Sequence, residues 1–356
     1  MQQKSRRAEE LSYLNAIACL MVIFIHVASY GIVYAVPDSL QAALVYFPWR
    51  LAACVVPVFL FSSAVKMAFQ YEEHYTLREY AGYVAGRVRS IYLPYAGWNL
   101  IYYVVFVLLG YYSVSVLGFT KMLVLGSMSA PFYYIVLAMQ FYLLKPLWFW
   151  IIRHLRWYVA IPSAVIVTFL SLYLNAFLGL CGINFPYIDR IFATYLVFWV
   201  VGLYAGRHWE QLTESLAGAG KSVALAAGIV LLTAVIPYLQ YAKGIWLVDT
   251  TYHKVLMDLL SIIVLLWVSL KLRGAGERVR KCLMFISSAS FFIYLSHCLF
   301  LTLTEHFLPL VGVTKISVVL VIRALVCYGV PLSLYALIAR LQAAAGARSV
   351  KSRVKS

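Results

Sequence analysis

Charge is what this chain has least of. Asp, Glu, Lys and Arg make up 12% of its 356 residues, and only 13 of them are acidic. A soluble domain carries about twice that charged fraction. With 64% hydrophobic residues, the chain reads instead as a bundle of membrane helices. Its six cysteines (Cys19, Cys54, Cys181, Cys282, Cys298, Cys327) form no CxxC pair and no metal-ligand spacing. That excludes a disulfide framework and gives no reason to expect a metal. Five of them lie in or beside apolar runs, where Cys acts as a small hydrophobe. No Ser-His-Asp pattern, no internal repeat and no loop long enough for a soluble domain is present. Any chemistry must therefore occur within the bundle or at its mouths.

Long apolar runs are what the chain does have. A span needs about 20 mostly apolar residues. Ten segments qualify, at roughly 11–34, 44–69, 91–110, 131–152, 157–179, 191–206, 221–241, 255–271, 283–304 and 316–341. The expected fold is an all-α polytopic bundle of about ten transmembrane helices. One membrane domain covers 1–342, and a basic cytoplasmic tail covers 343–356. The start (Lys4, Arg6, Arg7, then an apolar run) resembles a signal peptide, but the run is long and many spans follow, so it reads as a retained first helix. With the N-terminus inside, inner segments hold twenty Lys and Arg and outer loops five. Arg50, Lys66, Lys145 and Arg323 fall within spans. That bias puts both termini in the cytoplasm. The formal charge of +16 is then mainly topological, with attraction to anionic membrane lipids and no implication of nucleic acid. The longest inner loop, Gln70 to Ser90, carries Glu72, Glu73, His74, Arg78 and Glu79 and reads as partly helical.

An ionisable ring inside a span is rare and points to function. His26 lies in the first span, and Asn15, 11 residues earlier, falls about 20° away on the helical wheel. Ser12, Cys19, Ser29 and Tyr30 lie near the same line, so the first helix carries a polar stripe that lipid would not tolerate. The ninth span repeats the arrangement with Ser290, Tyr294, His297 and Thr304. His26 sits about 22 Å along its span and His297 about 21 Å along its own, so both rings are expected at similar depth in the outer half of the membrane. Arg50, Asp258 and Arg323 fall at related levels; they either join an outer-half pocket or snorkel to the interface. At the inner mouth, Arg87-Val-Arg89 before Pro94 either grips a phosphorylated ligand or anchors the helix among the headgroups.

At these residues the chain resembles the acyltransferase 3 family of integral membrane acyltransferases. The stretches that carry the resemblance are Leu11 to Cys19 running on to His26, and Val56-Pro57 to Ser63. Arg87-Val-Arg89 with Pro94, Phe132-Tyr-Tyr leading to Gln140-Phe-Tyr142 and Pro146, and Phe291 to His297 complete the set. The best-matching branch is that of the intercellular adhesion protein C of poly-N-acetylglucosamine biosynthesis. The resemblance implies ten helices in a bacterial cytoplasmic membrane and no bound cofactor. It implies acyl-CoA as co-substrate and a hydroxyl on an extracytoplasmic or lipid-linked glycan as acceptor. The family's catalytic histidine falls on His26 and its donor-binding basic pair on Arg87 and Arg89. Asn15 stands where the family has an arginine, and Ser63-Ala64 where it has Ser-Gly. The first change removes a cation that would hold a phosphate or polarise a thioester carbonyl.

The expected activity is therefore O-acylation, with acetyl or succinyl, of a surface polysaccharide such as that of a biofilm. His26 is the candidate general base. Arg87, Arg89 and Asn15 are candidate donor-binding residues. Arg50, Gln140, Tyr142, Asp258, Tyr294, His297 and Arg323 are candidate pocket residues, and Tyr294, His297 or Asn15 would donate to the oxyanion. A polysaccharide synthase complex is a candidate partner. The rival expectation is an exporter that passes a glucosamine polymer along aromatic surfaces supplied by 28 Tyr, 20 Phe and 9 Trp.

Overall fold

The computed structural model describes residues 2–183, 185–244 and 250–355. The side chains of Lys4, Arg6, Arg7 and of the tail beyond residue 344, which carry much of the expected inner charge, lie outside the described ones. The chain is all-helical, 86% helix with no strand among the described residues. Fifteen α-helices follow in order: α1 (Gln2–Tyr34), α2 (Leu40–Ala52), α3 (Val55–Ala68), α4 (Leu77–Arg87), α5 (Leu93–Leu108), α6 (Val116–Leu125), α7 (Tyr133–Leu143) and α8 (Lys145–His154), then α9 (Trp157–Leu180), α10 (Leu196–Arg207), α11 (Trp209–Gly218), α12 (Gly220–Lys243), α13 (Thr250–Lys271), α14 (Glu277–Phe307) and α15 (Ile316–Lys355).

Eight helical segments among the described residues are long and apolar enough to span a membrane; the bent pair α6 and α7, with the short helix before it, brings this to nine. A further apolar helix, Phe192–Arg207, is shorter and occupies the sixth expected span. The expected span 131–152 is two helices rather than one. Pro146 cannot donate to the carbonyl four residues back, so the ladder breaks at Leu144. The carbonyls released there find other donors: the Trp148 indole bonds Phe141 O at 2.7 Å, and the Tyr80 hydroxyl bonds Leu143 O at 2.6 Å. Pro57 explains the interruption between α2 and α3 in the same way. The segment from Gln70 to Ser90, expected as an inner loop, is partly helical. Thr76 and Glu79 form a reciprocal capping box that starts α4, and α4 continues into α5 through a π-turn, Val88–Tyr92. Pro94 has no N–H for residue 90, and the ladder shifts there to Leu93 N–H on Val88 O.

The chain divides into two compact units. One comprises Met1–Ala52, Tyr238–Ile245 and Ala275–Ser356; the other comprises Ala53–Pro237 and Trp246–Gly274.

In the first unit, α1 packs on α2, α14 and α15. The register of α1 on α14 is fixed at three levels. Arg280 of α14 donates to Glu9 at 2.6 Å, Cys19 Sγ lies 3.9 Å from Ser290 O, and the His26 and His297 rings meet with centroids 5.2 Å apart. Each pair is separated by 271 residues, so the helices run parallel and in step over about 25 Å. α15 runs the other way, with the Tyr328 hydroxyl on Leu20 O at 2.8 Å and Arg323 at Val27 O.

In the second unit the close contact is α3 on α10. A Cβ on Gly202 would lie 2.6 Å from Phe61 O, and one on Gly206 would lie 2.7 Å from the Ala68 side chain. This is the small-residue packing that brings membrane helices together where hydrophobic burial gives little drive. Beside it Trp199 stacks on Phe141, centroids 4.4 Å apart.

Candidate active site

The most polar buried place in the first unit is built around His26 on α1. His297 on α14 is fully buried, and its Nδ1 lies 2.9 Å from Ile293 O. A carbonyl only accepts, so Nδ1 carries the proton and Nε2 presents its lone pair. Cys298 Sγ lies 3.3 Å from that Nε2. His26 is half-buried, and no hydrogen bond reaches its ring nitrogens among the described residues. A ring nitrogen of each histidine and Cys298 Sγ all lie within 4.8 Å of one another. Tyr294 is one turn before His297, its ring centroid 6.4 Å away.

Arg323 reaches this place from α15. It is fully buried, and it grips the backbone of the helix that carries His26. Nη2 donates to His26 O at 2.7 Å and Nε to Val27 O at 3.2 Å. Nη1 pairs with Glu305, and the guanidinium lies over Tyr30 at 5.1 Å. The Ser29 hydroxyl donates to His26 O at 2.7 Å and takes a longer bond from Nη2. Every nitrogen of the buried guanidinium thus has a partner, the condition under which a buried charge is tolerated.

The structure brings His26, His297, Tyr294 and Arg323 together. Asn15, on the same helix, lies 11 residues from His26, about 16 Å along the axis. Arg50 on α2 is buried, 8% exposed, with Nε unpartnered among the described residues. Asp258 on α13 belongs to the second unit; it is 2% exposed and pairs with Lys254 at 2.5 Å. Neither reaches out as a snorkelling side chain would.

In the second unit, the arginine pair divides. Arg89 lies exposed within the π-turn. Arg87 is half-buried, its guanidinium 5.0 Å from the Tyr83 ring and 4.7 Å from the Tyr142 ring. Lys145 joins this cluster over Tyr83 at 4.4 Å, Phe149 at 4.9 Å and Tyr75 at 5.2 Å. Burial first, and then Tyr80 nearby, push the Tyr75 phenol up from its usual range, so it meets Lys145 as a neutral ring. The Tyr142 hydroxyl also donates to Ser63 Oγ at 3.4 Å. Cations over neutral aromatic faces suit a phosphorylated, ring-bearing ligand. Gln140 works elsewhere: Nε2 donates to Arg190 O at 2.5 Å, and Oε1 accepts from Phe192 N at 3.2 Å. It staples the turn before α10. A separate cavity of about 380 Å³ in this unit is lined by Arg153, Arg156, Trp157, Tyr158, Arg207 and His208 among others.

Three participants escape a reading of the sequence. Cys298 looks like one more small hydrophobe in an apolar run. Glu305 looks like a charge at a helix end and Lys145 like a lone cation within a span, and only tertiary packing supplies the partners they meet. The one signal available for Cys298 is its place beside His297.

A family model described as an acyltransferase domain matches residues 9–338. No curated protein and no solved structure matches the chain.

Proposed function

The chain belongs to that acyltransferase family, and from this premise we propose that it is a multi-pass O-acyltransferase of the bacterial cytoplasmic membrane. In this reading it moves acetyl or succinyl from cytoplasmic acyl-CoA to a hydroxyl of a surface polysaccharide. The substrate of the adhesion-protein branch, poly-N-acetylglucosamine, is the leading acceptor. The observation that carries the reading is the His26–His297 pair at 5.2 Å, with the His26 carbonyl held by Arg323.

His26 would take the proton of the sugar hydroxyl as the oxygen attacks the acyl carbonyl. Its ring is the less buried of the two and has no competing hydrogen bond among the described residues. Positioning matters here because an imidazole misplaced by 1 Å can lose about 10²-fold in rate. Arg323, Ser29 and Glu305 hold the turn of α1 that carries it. Tyr294 is the candidate donor to the oxyanion. Arg87, with Lys145 beside it and Arg89 at the surface, would hold the phosphates of coenzyme A, and Tyr83 and Tyr142 would offer faces to its adenine. Asn15 in place of the family's arginine leaves the donor more dependent on that cluster.

Asn15 also favours the exporter as the second reading. Deleting the chain in its host and analysing the polymer separates the two. Export of unacylated polymer supports the acyltransferase. Polymer retained inside the cell contradicts it.

A further inference from the structure

We infer that Cys298 carries the acyl group as a thioester between donor and acceptor. The inference rests on the acyltransferase reading above and adds a covalent step to it.

Three features carry it. Cys298 Sγ, His297 Nε2 and the Ile293 carbonyl form a nucleophile, a base and a group that orients the base. The spacings are 3.3 Å from sulfur to Nε2 and 2.9 Å from Nδ1 to the carbonyl. Second, the acceptor-side base is already in place. A His26 ring nitrogen lies within 4.8 Å of the same sulfur. Third, Cys298 is only 6% exposed, which keeps water from a thioester formed there. Neighbouring thiols lack this arrangement: Cys19 points at Ser290 O and Cys327 at His297 O.

The same three side chains are also a soft-metal donor set. Their surroundings favour acylation over a dication, because the nearby Arg323 is cationic and its carboxylate, Glu305, is committed to it. A thioester brings no charge into that environment.

The steps balance. The Cys298 thiol gives its proton to His297 Nε2, and sulfur attacks the acyl carbonyl of acyl-CoA. The bond to the coenzyme sulfur breaks, and the coenzyme thiolate leaves with the proton from Nε2. The sugar hydroxyl then gives its proton to His26, and its oxygen attacks the Cys298 thioester. The carbon–sulfur bond breaks, and the proton returns from His26 to the Cys298 sulfur. One thioester is exchanged for another and then for an ester, so no oxidant, reductant or metal is needed.

The test uses the purified full chain in detergent with acetyl-CoA or succinyl-CoA labelled in the acyl group and no acceptor. The expected result is up to one acyl group bound per chain, released by neutral hydroxylamine and mapping to the peptide with Cys298. Adding glycan acceptor should discharge it. Cys298→Ala should lose this label and lower transfer to glycan on the order of 10²-fold, with thermal unfolding unchanged. Exposed Cys282→Ser should label as wild type. Active transfer by the wild type with no bound acyl group, or undiminished transfer by Cys298→Ala, would overturn the inference and leave the acyltransferase reading standing. Absence of both label and transfer with either donor would remove both.

Discussion

The seam of α1, α14 and α15 and the contact of α3 with α10 solve the problem of helix association in opposite ways. The first buries His297, Arg323 and Ser296 completely and finds partners for their polar atoms within the seam. The second removes side chains altogether at Gly202 and Gly206 and stacks Trp199 on Phe141 nearby. In lipid, small residues and ring stacking are enough to hold helices together. A seam that instead buries a guanidinium and one imidazole, with a second imidazole half-buried beside them, carries polar groups that packing did not require. That surplus is what the proposed acyl transfer would draw on. Arg87 and Lys145 belong to neither kind of contact; their cations rest on aromatic faces at helix ends.

Substitutions sharpen this contrast. The largest effect is expected from Arg323→Ala, which strands Glu305 and releases the His26 and Val27 carbonyls. It should cost about 3–5 kcal/mol of stability, from the buried carbonyls left without Arg323 and the volume it empties, seen as a large fall in the thermal unfolding midpoint in detergent and as lost activity. Arg323→Met with Glu305→Gln should recover much of the stability and little of the activity. If the double variant transfers acyl groups at the wild-type rate, the guanidinium does not position His26.

Next comes Arg87→Ala. Loss of charge-assisted hydrogen bonds to a donor phosphate, about 1.5–3 kcal/mol, should raise KM for acyl-CoA by about 10- to 100-fold with kcat kept. Arg89→Ala, at an exposed site, should raise it only a few-fold. Equal effects would show that the π-turn does not separate their roles.

Gly202→Val tests the packing seam. Its side chain would meet Phe61 O, and a destabilisation of about 1–3 kcal/mol is expected. Transfer per folded molecule should stay near wild type; a selective loss of transfer would break the division of labour drawn above. Arg280→Ala should do least. Its pair with Glu9 is partly exposed and screened by solvent, and unfolding should shift only slightly.

Much of the polar seam is legible in the sequence. Two polar stripes on otherwise apolar helices, with histidines at matched depth, required those faces to be sheltered from lipid. The 271-residue register of α1 on α14 is that match made structural. Arg323 was visible as a charge within a span, but its grip on His26 O was not, because it depends on the rotation of α15. Cys298 stayed hidden because a thiol in an apolar run has no pattern of its own. The Arg-Val-Arg pair is ambiguous for a different reason: Pro94 turns the intervening backbone into a π-turn, which helical spacing does not anticipate. The same residue type splits the expected fourth span at Leu144, a break that apolar run length alone cannot reveal.

The most direct test of the seam's purpose is acyl transfer by His26→Ala in membranes supplied with labelled acyl-CoA and glycan acceptor. Transfer should fall by about 10²- to 10⁴-fold while the protein remains folded and inserted at wild-type level. Undiminished acylation of the glycan would show that the ring beside His297 is not the base, and that the polar seam serves assembly alone.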